Sequence, residues 1–198
     1  MACPRSPARQ RVTDPAGTHP ITTSLAPPSY NLAVDIQTER LLLRGWRPDD
    51  FDDFARISAD QEVMRYIGNG QPATRAQAWR AMAVFVGHWS LRGYGLWAAE
   101  ERATGRFIGR VGLWNPEGWP GLEVGWLLDR GWWGRGFATE GARAALDYAF
   151  TTLAADHVIS VISPGNTRSI RVAEKLGERF EREYDLDGNP VLIYGITR

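Results

Sequence analysis

The sequence predicts an α/β (α+β) fold with a single mixed, mostly antiparallel central sheet, flanked by helices and ending in a C-terminal hairpin. The chain has 198 residues, which suits one hydrophobic core. Three short strand-like runs follow one another over residues 96–128, and the segments 75–89, 138–150 and 166–176 carry apolar residues at helical spacing. This order of elements gives a mixed α/β sheet in one domain.

Residues 1–33 are predicted to be a disordered tail, and residues 34–198 form the folded domain. Half of the twelve prolines fall within the first 28 residues, where no apolar periodicity occurs. The tail has arginines but no continuous apolar core behind them, so it does not fit a secretory signal. Because the tail has few acidic residues, it is also compatible with an organelle transit peptide. The favoured interpretation is a dispensable tail.

Composition limits the partners of the protein. The 23 basic residues balance the 23 acidic residues, so we expect neither nucleic acid nor a membrane surface as a partner. No window approaches 18 uninterrupted apolar residues, which excludes a spanning helix. The single cysteine, Cys3, excludes an internal disulfide and a cysteine-based zinc site. We therefore expect a cytoplasmic protein without a metal.

The first part of the domain is predicted to contain a strand followed by two helices. Residues 38–44 alternate as a strand, and Pro48 begins a helix with acidic residues in its first turn. This helix continues through Phe54 and Ile57, and a second helix covers residues 75–89. The second helix carries an apolar stripe that we expect to be core: Trp79, Met82, Val86 and Trp89.

The middle of the chain is predicted to form three antiparallel strands. Leu96–Glu101 and Arg106–Trp114 are joined by a turn that ends in Gly105, which is typical of a β-hairpin. A third strand covers residues 122–128. The rest of the chain adds a helix at residues 138–150, a strand at His157–Ile162 and a second helix at residues 166–176. It ends in a hairpin that pairs residues 180–184 with residues 191–196.

The segment from Trp133 to Thr139 passes from a loop with two glycines into a helix. Unpaired N–H groups at a helix start, with Gly134 and Gly136 allowing close approach, suit a phosphate or pyrophosphate. The glycines are also explained by a tight turn alone. Phe137 follows the second glycine where a nucleotide P-loop has lysine, which excludes that motif. A Rossmann fold is disfavoured because the preceding strands look antiparallel.

This segment resembles the signature of the GNAT superfamily of acyl-CoA N-acyltransferases, Gln/Arg-x-x-Gly-x-Gly/Ala, which holds the CoA pyrophosphate. We map the signature to residues 133–138, with Trp133 in place of Gln or Arg. The Trp-Gly-x-Gly-aromatic-Ala-Thr-Glu form is typical of a branch resembling ribosomal-protein-alanine acetyltransferases. A second family motif matches from Asn166 to Gly177, and the likeness spans residue 36 to the C-terminus.

The resemblance implies acetyl-CoA as the acyl-donor cosubstrate. The residues it assigns to cofactor binding are Trp126, Leu127, Leu128, Trp133, Gly134, Arg135, Gly136, Phe137, Ala138, Thr139, Asn166 and Ser169. Arg135 could add a charge-assisted contact to the CoA phosphates. Arg168, Arg171 and Lys175 share one helix face, and this face either reaches the CoA 3′-phosphate or is simply solvated.

Glu123 is the predicted general base. It alternates off the face of Leu122 and Val124, and it resembles the glutamate of the family's Glu-Ile-Gly-Tyr strand. A protonated amine must lose a proton before it attacks a thioester, and a carboxylate can accept that proton. An exposed strand glutamate is the plain alternative, and His88 is a second candidate base.

The acid for the CoA thiolate is less defined. Family members often carry a tyrosine seven residues after the motif asparagine, and here that position is Ala173. Ser169 is the catalytic candidate for this role, with a water, Tyr184 or Tyr194 as alternatives. A thiol with a pKa of about 8.5 also leaves as an anion without much proton assistance.

Five of the nine tryptophans fall where an acceptor groove would lie in this fold, although core packing would also explain them: Trp89, Trp97, Trp114, Trp119 and Trp126.

The sequence thus predicts an N-acetyltransferase that moves acetyl to a primary amine by direct attack in a ternary complex. The acceptor is a protein N-terminus or a small molecule, and the protein is a monomer or homodimer. The alternatives are a non-catalytic acyl-CoA-binding or sensing module and a structural role.

Overall fold

A computed structural model describes residues 33–198 of the chain and, before them, one short backbone ladder. In this ladder Val12–Thr13 pairs antiparallel with Pro20–Ile21. The prediction of a disordered tail over residues 1–33 otherwise concerns residues outside the described part of the chain, so it stays a prediction.

Eight strands form one mixed sheet in the order β1-β2-β3-β4-β5-β6-β8-β7. The strands are β1 (Ile36–Gln37), β2 (Leu41–Arg44), β3 (Leu96–Glu101), β4 (Arg106–Trp114), β5 (Glu123–Leu128), β6 (His157–Ile162), β7 (Arg179–Leu186) and β8 (Asn189–Thr197). Neighbouring strands are antiparallel except β5 and β6, which run parallel. The predicted fold class and the C-terminal hairpin of β7 and β8 are confirmed.

Five α-helices accompany the sheet in the described residues: α1 (Phe51–Ser58), α2 (Gln61–Met64), α3 (Arg75–Arg92), α4 (Phe137–Thr151) and α5 (Thr167–Leu176). Thr74 begins α3 with a capping box to Gln77, and Gly93 ends it at a φ of 75°. The long helix α3 is thereby fixed at both ends by local sequence. Within residues 33–198, no helix has the length and apolar character required to cross a membrane.

The helices cover the two faces of the sheet with two hydrophobic cores. On one face, the alanines of α4 lie against β2, β4 and β5. Gly141 also belongs to this contact, because a Cβ there would lie within 3.3 Å of Leu41 and Val111. On the other face, α1 and α3 pack around Trp46, Phe54 and Phe85.

The prediction that Trp79 belongs to the core is wrong. Trp79 is 60% exposed, whereas Trp89 is buried and Met82 and Val86 are partly buried. The buried side of α3 runs instead through Ala78, Phe85 and His88. Helical spacing alone could not separate these adjacent stripes, since apolar residues occur on most sides of α3.

Strands β5 and β6 diverge soon after they meet. Their parallel register contains one pair, Glu123 with Ile159. One residue further along, the side chain of Ser160 replaces the backbone ladder: its Oγ lies 3.0 Å from the carbonyl oxygen of Val124. The same Oγ lies 3.1 Å from Oε1 of Glu178, a residue only 3% exposed at the end of α5. The hydroxyl group of Ser160 and the carboxyl group of Glu178 thus lie where the two strands separate.

Burial favours the neutral form of the Glu178 carboxyl group. Ser160 is the donor in both contacts, and its one hydroxyl hydrogen is shared between the carbonyl oxygen of Val124 and Oε1 of Glu178. Burial raises the pKa of Glu178 to about 8, with Glu123 and Glu181 adding to the rise and the Ser160 bond opposing it. The neutral carboxyl is therefore the form that the fold favours at neutral pH.

This proton makes stability depend on pH. The unfolded chain loses the proton near pH 4.5 and the folded chain near pH 8, so the stabilisation is complete at acidic pH and declines between these values. Replacing Glu178 with Gln, whose amide donates to Ser160 permanently, should flatten this decline by up to about 1.4 kcal/mol per pH unit. Urea unfolding across the interval measures it. Glu174→Gln, an exposed change on α5, is the matched control, and parallel profiles for wild type and Glu178→Gln would contradict the assignment.

Candidate active site

A cavity of about 560 Å³ opens between the glycine turn, the end of β5, α5 and the loop after α2. Its walls include these predicted cofactor-binding residues: Trp126, Leu127, Leu128, Trp133, Gly134, Gly136, Phe137, Ala138, Thr139, Asn166 and Ser169. A shallower groove of about 770 Å³ runs along α4 and shares Gly136, Thr139 and Lys175 with it. The structure thus brings eleven of the twelve predicted residues around one cleft.

The turn at the mouth of this cleft exposes backbone donors. Gly134 and Gly136 have backbone φ values of 72° and 86°, which residues other than glycine rarely adopt. Gly136 is the N-cap of α4, and it supplies no side chain to bond the first N–H groups of the helix. These donors, starting with that of Phe137, together with the positive end of the helix dipole, form an anion-binding site.

Arg40 braces the turn from the neighbouring strand, a role that the sequence analysis missed. Its Nη1 donates to the carbonyl oxygen of Arg135 at 2.9 Å, and its guanidinium lies 4.4 Å from the ring centre of Phe137. Glu140 holds Arg40 through a 2.6 Å ion pair and also accepts from Thr38. The only sequence signal was the opening Thr-Glu-Arg-Leu stretch, which indicated a strand.

One part of the predicted turn needs correction. Arg135 does not line the cleft, because its guanidinium lies over the rings of Trp132 and Phe137 at 4.6 and 5.3 Å. Trp133 keeps the first position of the signature, with Gly136 and Ala138 at its small-residue positions, and it presents an indole where the family has Gln or Arg.

Trp133 acts instead as a support for the cleft wall. Its indole Nε1 donates to the carbonyl oxygen of Leu128 at 2.8 Å, which fixes the ring against the end of β5. The guanidinium of Arg168 lies 4.7 Å from the ring centre. The three cations predicted to share one face of α5, Arg168, Arg171 and Lys175, all line the cavity.

The start of α5 supplies the polar wall. Asn166 is the N-cap as predicted, with its side-chain oxygen accepting from the N–H of Ser169 at 3.2 Å. The Oγ of Ser169 accepts from the indole of Trp126 at 3.3 Å, so its own hydrogen is free to point into the cleft. Ala173 is fully buried, and this position offers no acid.

Tyr66 faces this wall from the loop after α2, and the sequence analysis missed it. Its phenol oxygen would lie 3.4 Å from a Cβ placed on Gly165, immediately before Asn166. Tyr66 and Ile67 both line the cleft. Only the fold shows this position, because about 100 residues separate the two walls along the chain.

Glu123 does not line this cavity, although it lies on the same strand as Trp126, Leu127 and Leu128, which do. It is half-buried, and its Oε2 accepts from the indole N–H of Trp119 at 2.7 Å. Burial raises the pKa of Glu123 to about 7, although the Trp119 bond, the charge of Arg110 and the N–H of Val161 oppose the rise. Its carboxyl group is therefore poised to exchange a proton near neutral pH.

His88 is not available as a base, so the second candidate is wrong. Its Nε2 accepts from the backbone N–H of Asn115 at 3.2 Å, and its Nδ1 therefore donates to the carbonyl oxygen of Tyr94 at 2.8 Å. The ring stacks on Trp114 with centres 4.5 Å apart. Burial lowers the pKa of His88, which keeps this neutral, fully bonded form.

The five tryptophans expected around an acceptor groove separate into three groups. Trp89 and Trp97 are core residues, so that part of the expectation is wrong. Trp126 lines the cleft on the α5 side. Trp114 and Trp119 lie beside Glu123, since Trp114 is its register partner on β4 and Trp119 its hydrogen-bond donor.

The opened sheet, the uncapped glycine turn and the cleft between them define an acyltransferase. The GNAT acetyltransferase domain matches residues 40–179 of the chain. The chain belongs to the GNAT acetyltransferase family.

The chain is similar to individual relatives and solved structures over most of its length. The protein YkkB of Bacillus subtilis strain 168 is 33% identical over 172 residues, covering 83% of this chain and 96% of YkkB. An acetyltransferase from Agrobacterium tumefaciens strain C58 superposes with a TM-score of 0.75 at 31% identity, covering 84% and 95% of the two chains. RimL, a ribosomal L7/L12 alpha-N-protein acetyltransferase in complex with coenzyme A, shares the fold at 15% identity, with a TM-score of 0.70 over 83% and 98%.

The turn provides a direct test of the cleft. Gly136→Val and Gly105→Val both place a β-branched residue at a positive φ, 86° and 68°, so each should lower stability by about 1–2 kcal/mol. Gly105 lies in the turn between β3 and β4 and does not line the cleft. Only Gly136→Val should abolish the rise in melting temperature that CoA gives the wild type, measured by differential scanning fluorimetry. An undiminished rise in the folded Gly136→Val protein would contradict the site.

Proposed function

We propose that the protein is an acetyl-CoA-dependent N-acetyltransferase that moves acetyl to a primary amine by direct attack in a ternary complex. The observation that carries the proposal is the uncapped start of α4 at Gly136, open to a cleft that continues to Trp126 and Leu128. The free N–H groups of the turn suit the CoA pyrophosphate, whose two phosphates need several donors at short range.

The cations of the cleft wall support the same ligand. Arg168, Arg171 and Lys175 supply positive charge beside the turn, as the 3′-phosphate of CoA requires. The chain has no net charge, so this local cluster favours an anion bound at one place. When bound, acetyl-CoA supplies the activated thioester, and the protein supplies position and proton transfer.

We infer that Glu123 accepts the proton of the acceptor amine. The neutral amine then attacks the thioester carbonyl carbon, the C–N bond forms, the C–S bond breaks, and the electron pair leaves with sulfur. The position of Glu123 supports this role, because β5 and β6 share no register pair beyond it and the following residues of β5, Trp126 to Leu128, line the cleft.

The thiolate requires a proton or a hydrogen bond at the end of the reaction. Ser169 carries a hydroxyl hydrogen free to point into the cleft, and Tyr66 places a phenol on the opposite wall. We propose Ser169 as the donor, with the phenol of Tyr66 across the cleft as the alternative. The cytoplasmic location and the monomer or homodimer state stay predictions.

The buried Ala173 favours the second candidate, a module that binds acyl-CoA without catalysis, because it removes the usual family acid. Protein N-terminal amines are the acceptors named for RimL. Thiol release from acetyl-CoA, screened over primary amines and N-terminal peptides, separates the candidates: CoA binding without turnover of any amine would select the module.

Glu123→Gln tests the proposed base. The amide keeps an oxygen for Trp119 but cannot accept a proton, so kcat/KM should fall on the order of 10²-fold at pH 7. The deficit should shrink as pH rises, because free amine becomes abundant. Profiles of kcat/KM from about pH 6 to 9.5 measure this, with the wild type rising through the pKa of Glu123 near 7. Glu183→Gln, an exposed strand change, is the control, and equal profiles for wild type and Glu123→Gln would exclude the role.

A further inference from the structure

Arg110 is a partly buried cation without an anion. It lies on β4, and its Nε is buried with no hydrogen-bond partner. Among residues 33–198, no side chain or carbonyl group forms a hydrogen bond or ion pair with its guanidinium. The nearest support is the ring of Phe85, whose centre lies 5.0 Å away. Stacking on a ring face leaves the N–H groups at the edge of a guanidinium free to bind.

Such an arrangement costs stability, since removing a charge from water is unfavourable unless a partner compensates. Burial lowers the pKa of Arg110 to about 10, in keeping with an uncompensated charge. Elsewhere the chain avoids this cost: the buried Arg44 bonds both Asp50 and Glu100 at 2.7 Å. Arg110 therefore differs from Arg44, whose guanidinium bonds two carboxylates.

Its position relates it to the proposed base. Glu123 is the register partner of Trp114 on β4, and Arg110 lies four residues before Trp114 on the same face of that strand. The charge of Arg110 acts on Glu123, yet the two groups form no ion pair within 4 Å. Trp119 holds the Glu123 carboxylate, so a gap of more than 4 Å remains between the oxygens of one group and the nitrogens of the other.

We propose that Arg110 binds a carboxylate of the acceptor, so that the substrate class is a free amino acid whose amine meets Glu123 and whose carboxylate meets Arg110. The proposal rests on the proposed function and selects among its acceptors. A zwitterion fits the gap because it carries both complementary charges on one small skeleton. The edge of a guanidinium bonds the two oxygens of a carboxylate at once, which fixes the orientation of the amine. A peptide N-terminus lacks this carboxylate on its first residue.

Matched acceptors test the proposal. Thiol release is measured for the common L-amino acids and for their carboxamides, which keep the amine and lose the charge. The wild type should favour the acids. Arg110→Met, which keeps an apolar stem over Phe85, should lower kcat/KM for the acids about 10²-fold, mainly through KM, and leave the amides within about threefold. Arg110→Lys should lose about tenfold. Arg106→Met, an exposed change on the same strand, should alter neither series.

Stability supplies a second readout. Because Arg110 is an uncompensated cation, Arg110→Met should raise the melting temperature, whereas a structural arginine would lower it. Equal losses for acids and amides, a lower melting temperature, or a wild type that prefers amides, polyamines or peptide N-termini would overturn the proposal. In those cases amine acetylation continues, so the proposed function stands. The absence of thiol release with every amine would instead overturn both.

Discussion

The divergence of β5 and β6 is the constraint on which the rest of the site depends. The strands share the single register pair Glu123–Ile159, and then the hydroxyl of Ser160, which contacts both Val124 and the buried carboxyl of Glu178, replaces the ladder. A continuous ladder would close the sheet and leave no cleft beside Trp126. Small polar side chains at this point satisfy the carbonyl of Val124 while the strands separate, so the backbone loses no hydrogen bond where the sheet opens.

Charge in this protein divides into paired groups that hold the fold and unpaired groups that face ligands. Arg44 with Asp50 and Glu100, and Arg40 with Glu140, join elements distant in sequence. The uncapped amides at Gly136, the cations of α5 and the bare guanidinium of Arg110 lie around the cleft and beside Glu123. Burial raises the pKa of Glu123 because no ion pair within 4 Å offsets the loss of water around its carboxyl group.

Local patterns in the sequence were enough to predict the strands, the two motif helices and the glycine turn. The cap of α5 at Asn166 depends on neighbouring residues only, and the structure confirms it. The role of Glu123 as the base stays a prediction. Arg40, Tyr66 and Arg110 could not be predicted, because their surroundings come from distant parts of the chain. The errors have the same origin: spacing placed Trp79 in the core and His88 among the bases, whereas packing on Trp114 and bonds to Asn115 and Tyr94 decided otherwise.

A crystal structure of the complex with CoA tests the central claim most directly, because it shows which opening the ligand takes. The account predicts the pyrophosphate within hydrogen-bond distance of the amides from Gly134 to Thr139, and the pantetheine arm along Trp126–Leu128, ending where β5 leaves β6. Adenosine phosphates seated beside Arg168 would agree. Phosphates bound in the outer groove along α4, beside Arg143 and away from β5, would contradict it.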